Sequence, residues 1–178
     1  MSASQTGGGS ASPALRPTLP VPGVRASALT ALVALILCAC SPAPAWRGLV
    51  KIGLVLPFHG PGAAAAMATH VAVRQRLIDA NAAGGAAGYR LELVSLDDEG
   101  DPAIAAGRAG ELGADPLVVA VLGPAGAGLD VPLASAGLRL RTIDDPASAA
   151  GALEALLAEI AAAASGGRPD RAALRARP

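Results

Sequence analysis

The chain has 178 residues, room for one domain or two at most, and its charges balance at 14 basic against 14 acidic. Half of the residues are hydrophobic (52%), but 44 are alanine and only Trp46, Phe58 and Tyr89 are aromatic. This excludes a polyelectrolyte, a polyanion binder and an aromatic platform for nucleic acid. It also demands a core of small side chains packed closely, since each alanine buries little area.

Residues 1–24 are rich in Gly, Ser, Pro and Ala and have no periodicity that would form a core. Arg25 precedes an apolar run, Ala28 to Ala39. Twelve helical residues rise about 18 Å, short of the roughly 30 Å hydrocarbon layer, so a spanning helix is not expected. A basic flank, a short apolar stretch and small residues at its end read as a secretory leader. Leu37-Cys38-Ala39-Cys40 resembles the lipobox of bacterial lipoproteins. By that resemblance Cys40 carries the lipid and becomes the mature N-terminus. The alternative is a buried apolar helix with two inert cysteines. Residues 1–39 are thus expected as extension and leader, 40–48 as tether, and 49–178 as one α/β lobe. Arg16 and Arg25 leave with the leader while every acid stays, which gives a mature domain with 12 basic and 14 acidic residues, net −2. No cysteine beyond Cys40 follows, so no disulfide framework is expected despite an extracytoplasmic compartment.

The remainder alternates strand and helix. Val50 to Leu56 is an apolar run suited to a buried strand. A helix is expected over Ala63 to Asn81, ended by Gly84-Gly85. Tyr89 to Leu96 is a second strand, and Asp101-Pro102 an N-cap with proline at the first helical position. The helix it opens sets Ile104, Ala105, Ala109 and Leu112 on one side. Leu117 to Leu122 is the most apolar strand and the expected centre of the sheet. Gly123 to Gly128 leads into a short helix, and Leu138 to Ile143 makes a fourth strand. Asp145-Pro146 caps a long helix with Leu153, Leu156, Leu157 and Ile160 at helical spacing. The β-α repetition predicts an α/β three-layer sandwich with a mostly parallel sheet.

Lys51 to Gly60 (KIGLVLPFHG), Asn81 to Gly85 with Gly88, Leu91 to Asp98 (LELVSLDD), Asp101-Pro102 and Val121 to Pro124 (VLGP) occur in one order. The set resembles the N-terminal lobe of type I periplasmic binding proteins, in the Leu/Ile/Val-binding group that serves ABC importers. The resemblance covers about Val50 to Arg141. It implies a solute-binding lipoprotein outside the cytoplasm, an amino-acid-like solute and an importer permease as partners, and a lipid anchor in the membrane. Family members have two lobes closing on the ligand. Here Ile143 runs almost directly into an Ala-rich helix and Gly166 to Ala176, so the second lobe is expected to be absent.

Ligands of open α/β sheets sit beyond the carboxyl ends of the strands. The expected site residues are therefore His59 and Gly60, Gly126 and Ala127, and Thr142 and Asp144. The family places hydroxyl residues on the last two loops. Here Gly126 and Ala127 stand in the first of them, where backbone N–H groups at a helix start are expected to receive a carboxylate. Asp144 or Asp145 would meet an ammonium, Asp145 serving more simply as the cap. His59 replaces the family's threonine and reads as a cleft-rim or solvated histidine, with no partner evident for either histidine. His70 shares a stripe with Val73 and Leu77 and reads as a core-edge residue. Asp97, Asp98, Glu99 and Asp101 lack the ligand spacing of a calcium loop and read as a solvated turn plus cap. No phosphate loop, nucleophile–base pair, metal set, cofactor or nucleic-acid surface is expected. The alternative function is a lipid-anchored module that binds no ligand and docks a protein partner, or a second copy of itself, through its exposed surface.

Overall fold

Four apolar runs form one parallel sheet in this computed structural model, which describes residues 45–175; the leader, Cys38 and Cys40 lie outside the described residues. The strands are β1 (Gly48–Leu56), β2 (Tyr89–Asp97), β3 (Val118–Gly123) and β4 (Arg139–Thr142), in the order β2-β1-β3-β4. Every pairing is parallel. β1 and β3 are both interior, so the centre belongs to two strands and not to β3 alone. Each is apolar because both of its faces are covered: all six residues of β3 are buried, as are Ile52 to Leu56 of β1.

The helices are α1 (Ala63–Ala82), entered through a 3-10 turn at Gly60–Gly62, α2 (Pro102–Ala114), α3 (Asp130–Ser135), α4 (Pro146–Ala164) and α5 (Arg171–Arg175). One core cluster joins Ile52 and Leu54 to Val73 and Leu77 of α1, to Leu153, Leu156 and Ile160 of α4, and to Leu174 of α5. A second joins Val55 and Val121 to Ala105, Ala109 and Leu112 of α2 and Leu133 of α3. Helices therefore cover both faces, and the α/β three-layer lobe expected from the sequence is what forms. Each fully buried leucine contributes about 2–3 kcal/mol. α4 is long and apolar enough to cross a membrane by composition, but its leucine stripe is the side packed on the sheet.

The alanines act where the sequence analysis placed them. Ala105, Ala109, Ala149 and Ala164 are at most 2% exposed and bring the helices close to the strands. Gly53 carries this furthest, since a Cβ there would lie 2.7 Å from Leu112 Cδ1. Gly85 is needed for its turn: φ is +72°, and a Cβ would fall 2.0 Å from the Tyr89 carbonyl oxygen.

The end of the sheet at which the strands begin is tied together by side chains. Arg171 donates to the backbone carbonyls of Leu112, Gly113, Asp115, Val118 and Ala136. One guanidinium thus satisfies the C-terminal carbonyls of α2 and α3 and the start of β3. Asn81 holds β2 to α1 with a reciprocal pair, its Nδ2 donating to the Leu91 carbonyl and the Leu91 N–H to its Oδ1, both at 2.9 Å. Lys51 Nζ meets Asp115 Oδ2 at 2.8 Å; the hydrogen bond raises the lysine pKa and lowers that of the aspartate.

Candidate functional site

From β1 the chain steps outward to β2 and then returns to place β3 on the other side of β1. The loops after β1 and β3 consequently diverge. Such a switch point leaves a crevice at the carboxyl ends of the strands. Two cavities of about 240 Å³ each lie there, sharing Pro57, Pro124 and Ala125 as a common ridge.

The first cavity is bounded by Leu56 at the end of β1, by Gly62, Ala65 and Thr69 of the turn and α1, and by Ile143 and Asp144 after β4. Its walls are mainly apolar, and its polar groups are Thr69 and the carboxylates of Asp144 and Asp145. Thr69 is 5% exposed, on a helix face otherwise buried by Ala66 and Val73. The positive end of the 20-residue α1 also points here, with no acid in the first turn and no side-chain cap. A helix start of this kind attracts negative charge.

The second cavity lies between the β2–α2 turn and the loop after β3, with Asp98, Gly100, Asp101, Gly126 and Ala127 on its walls. Asp98 is 2% exposed, and its Oδ1 accepts the Gly100 N–H at 2.9 Å. Asp101 caps α2 by accepting the Ala103 N–H at 2.7 Å.

The expected site residues are divided by this geometry. Asp144 lines the first cavity, Gly126 and Ala127 the second, and His59, Gly60 and Thr142 line neither. Gly126 and Ala127 do not stand at a helix start, as was expected of them. α3 begins only at Asp130 and places that acid in its own first turn. A carboxylate finds no helix N-terminus at those residues. Asp145 is the N-cap of α4 in a complete capping box: its Oδ1 accepts the Ser148 N–H at 2.7 Å, and Ser148 Oγ accepts from the Asp145 N–H at 3.0 Å. The same Oγ accepts the Asp144 N–H at 3.0 Å, so Ser148 is committed to the turn, and Asp144 is exposed. The hydrogen bond from the Ser148 backbone lowers the Asp145 pKa.

His59 does have a partner, contrary to the sequence reading. Its Nδ1 donates to Asp97 Oδ2, although 38 residues separate the two. Asp97 also accepts the N–H groups of Phe58 at 2.8 Å and Glu99 at 2.9 Å. Asp97 is therefore the clasp between the first loop and the β2 end, and not a solvated turn residue. Burial opposes its charge, but the hydrogen bonds from Glu99, His59 and Phe58 outweigh that and hold its pKa below the ordinary value. The same bond raises the pKa of His59. His70 is half-buried and meets the Phe58 ring edge-on at 5.7 Å, as a core-edge residue would.

Thr69 and Ala65 were not read as site residues. Both sit in an alanine-rich helix whose periodicity signals core, and only the crossing of α1 over the switch point turns them to the cavity. Among the described residues no group of His, Cys, Asp and Glu has the arrangement to hold a metal ion.

Residues 49–136 match the family profile described as periplasmic binding protein. Over 89 residues the chain is 40% identical to the chemotactic signal transduction system substrate-binding protein BasB of Halobacterium salinarum, covering 47% of this chain and 21% of that protein. It is 32% identical to the branched-chain amino acid transporter substrate binding protein LivJ of Streptococcus pneumoniae, solved with isoleucine, with a TM-score of 0.49 over 52% of this chain and 28% of the other. It is 27% identical to a putative branched-chain amino acid ABC transporter protein of Rhodospirillum rubrum, TM-score 0.48, over 56% and 31% of the two chains. The chain thus spans about a fifth of the length of the curated relative.

Proposed function

We propose that the lobe, whose residues 49–136 match the periplasmic binding protein profile, receives a small amino-acid-like solute at the switch-point cavity, as the substrate-binding component of an ABC import system outside the cytoplasm. The observation that carries this reading is the composition of the first cavity. The start of α1 suits a carboxylate, Asp144 suits an ammonium, Thr69 offers a hydroxyl, and the walls of Leu56, Pro57 and Ile143 suit an aliphatic side chain. At about 240 Å³ the cavity is smaller than the roughly 300–1,000 Å³ of sites that enclose a drug-sized ligand. One wall of this size fits a residue-sized solute held loosely. In the same reading Cys40 bears a lipid and tethers the lobe to the membrane.

Calorimetry against branched-chain and other amino acids is the direct test. Heat at millimolar ligand that is lost in the Asp144→Asn variant is expected; its absence for every amino acid overturns solute binding. A second reading keeps the site and changes the output. The name of the Halobacterium relative places it in chemotactic signalling, so the loaded lobe would address a receptor instead of a permease. Copurification of a transducer in place of permease subunits favours that reading. A module that binds no solute and docks a protein is favoured by Gly126 and Ala127, which offer no hydroxyl; it predicts a silent calorimeter and a partner crosslinked in native membranes.

A further inference from the structure

The two ends of the sheet carry opposite charge. The loops at the carboxyl ends of the strands, residues 57–62, 97–102, 123–130 and 142–148, contain seven carboxylates, no lysine and no arginine. Arginine collects at the other end. Arg47 precedes β1, Arg90 is the second residue of β2, Arg168 lies in the turn after α4, and Arg175 of α5 lies beside Gly137 ahead of β4. All four are exposed. The acids of that end are mostly engaged: Asp115 is paired with Lys51, Glu92 stands opposite the same lysine, Asp170 accepts the Ala173 N–H, and Asp79 bonds to Gln75.

We propose that this basic end is the base on which the lobe rests against an anionic lipid surface, with the acidic cavity mouth turned away from the membrane. The occupant follows from where the chain enters. β1 begins at this end, eight residues after Cys40, and eight extended residues span at most about 28 Å. An anchor at Cys40 or in the apolar run before it keeps the basic end within that reach of the headgroups. Negative surface potential falls off within about 8–10 Å; a tether of this reach lets the base enter that range, and with the base in contact the mouth lies outside it. Each arginine near such a surface favours contact about fivefold and three of them about a hundredfold. The carboxylates at the mouth oppose the inverted orientation. Trp46, the sole tryptophan, lies at the same end against Gly85, a residue type suited to the headgroup layer. The orientation leaves the cavity open to solute. It rests on the membrane-tethered part of the reading above and is independent of whether any solute binds.

The test uses the full chain inserted in vesicles, one set of phosphatidylcholine and one of equal parts phosphatidylcholine and phosphatidylglycerol, read by amide hydrogen exchange. On the anionic vesicles exchange is expected to slow severalfold at residues 84–90 and 165–175 and to be unchanged at 97–101. High salt and the Arg90→Glu, Arg168→Glu, Arg175→Glu triple variant should both remove the slowing. The corresponding triple lysine variant should retain it, which separates charge from damage to the fold. Slowing that is equal on the two vesicle types, that survives the triple reversal, or that falls on residues 97–101 overturns the proposal. A solute-binding failure would leave these exchange patterns intact.

Discussion

The two ends of this sheet are held by different means. At the base, one arginine bonds five carbonyls, an asparagine makes a reciprocal pair with a strand, and Lys51 reaches Asp115 across 64 residues. At the mouth, the side chains of Asp101 and Asp145 bond only to residues two or three positions away. The Asp97 clasp is the exception, and it is partly open to solvent. Long-range bonds at the base oppose separation of whole elements. Local caps fix the starts of α2 and α4 but leave the spaces between loops unfilled, and those spaces are the two cavities. Stability is concentrated at one end and the opportunity for binding at the other.

The largest effect should come from Arg171→Ala. Five carbonyls lose their donor, and the expected cost is about 3 kcal/mol, read by urea denaturation. A loss under about 1 kcal/mol would remove the base as the stabilising end. Asn81→Ala strips both partners from Leu91 and should cost about 2 kcal/mol, without altering solute affinity.

The cavity end should respond inversely. Ala65 is exposed and helical, so Ala65→Leu is expected to keep stability within about 0.5 kcal/mol while filling the first cavity and weakening solute binding by at least about tenfold. Equal binding by wild type and this variant in a titration would move the site elsewhere. Thr69→Val keeps the shape and removes the hydroxyl. It should lower affinity about fivefold to tenfold with an unchanged or slightly higher melting temperature.

The smallest effect belongs to His59. Its pKa is raised by Asp97, so its contribution to stability is complete below the unfolded histidine pKa and is lost as pH rises through the higher folded value. The Asp97 pKa is lowered, so the carboxylate's contribution is present above the unfolded aspartate pKa and fades as pH falls through its folded value. The two overlap in mildly acidic solution. A His59→Ala melting curve should differ from wild type there and converge with it at alkaline pH; a constant offset at every pH would mean that the ion pair contributes nothing.

Local signals made most of the fold legible. The cap at Asp101-Pro102, the capping box at Asp145 and Ser148, and the glycines after α1 each announced a boundary through chemistry contained within a few residues. Strand limits moved by one or two residues, as at β3, which begins at Val118 after Asp115 takes up the Leu117 N–H. The site was less legible. Asp97 and His59 are polar residues in separate loops, and nothing in either loop announces the other. Gly126 and Ala127 were placed by analogy at a helix start, whereas the loop continues to Leu129 before α3 begins.

What the sequence determined by itself was the set of elements and their order, because hydrophobic period, caps and glycine turns act over short distances. An alanine-rich composition also committed the lobe to close helix–sheet packing. What only the tertiary structure decided was which residues share a space. β3 settles on the far side of β1, and that choice opens the crevice and turns Thr69 and Ala65 to its wall. It also gathers arginines from four separate segments at one end of the sheet and carboxylates from three loops at the other. Side-chain identity sets what each residue can do, and strand order sets which residues do it together.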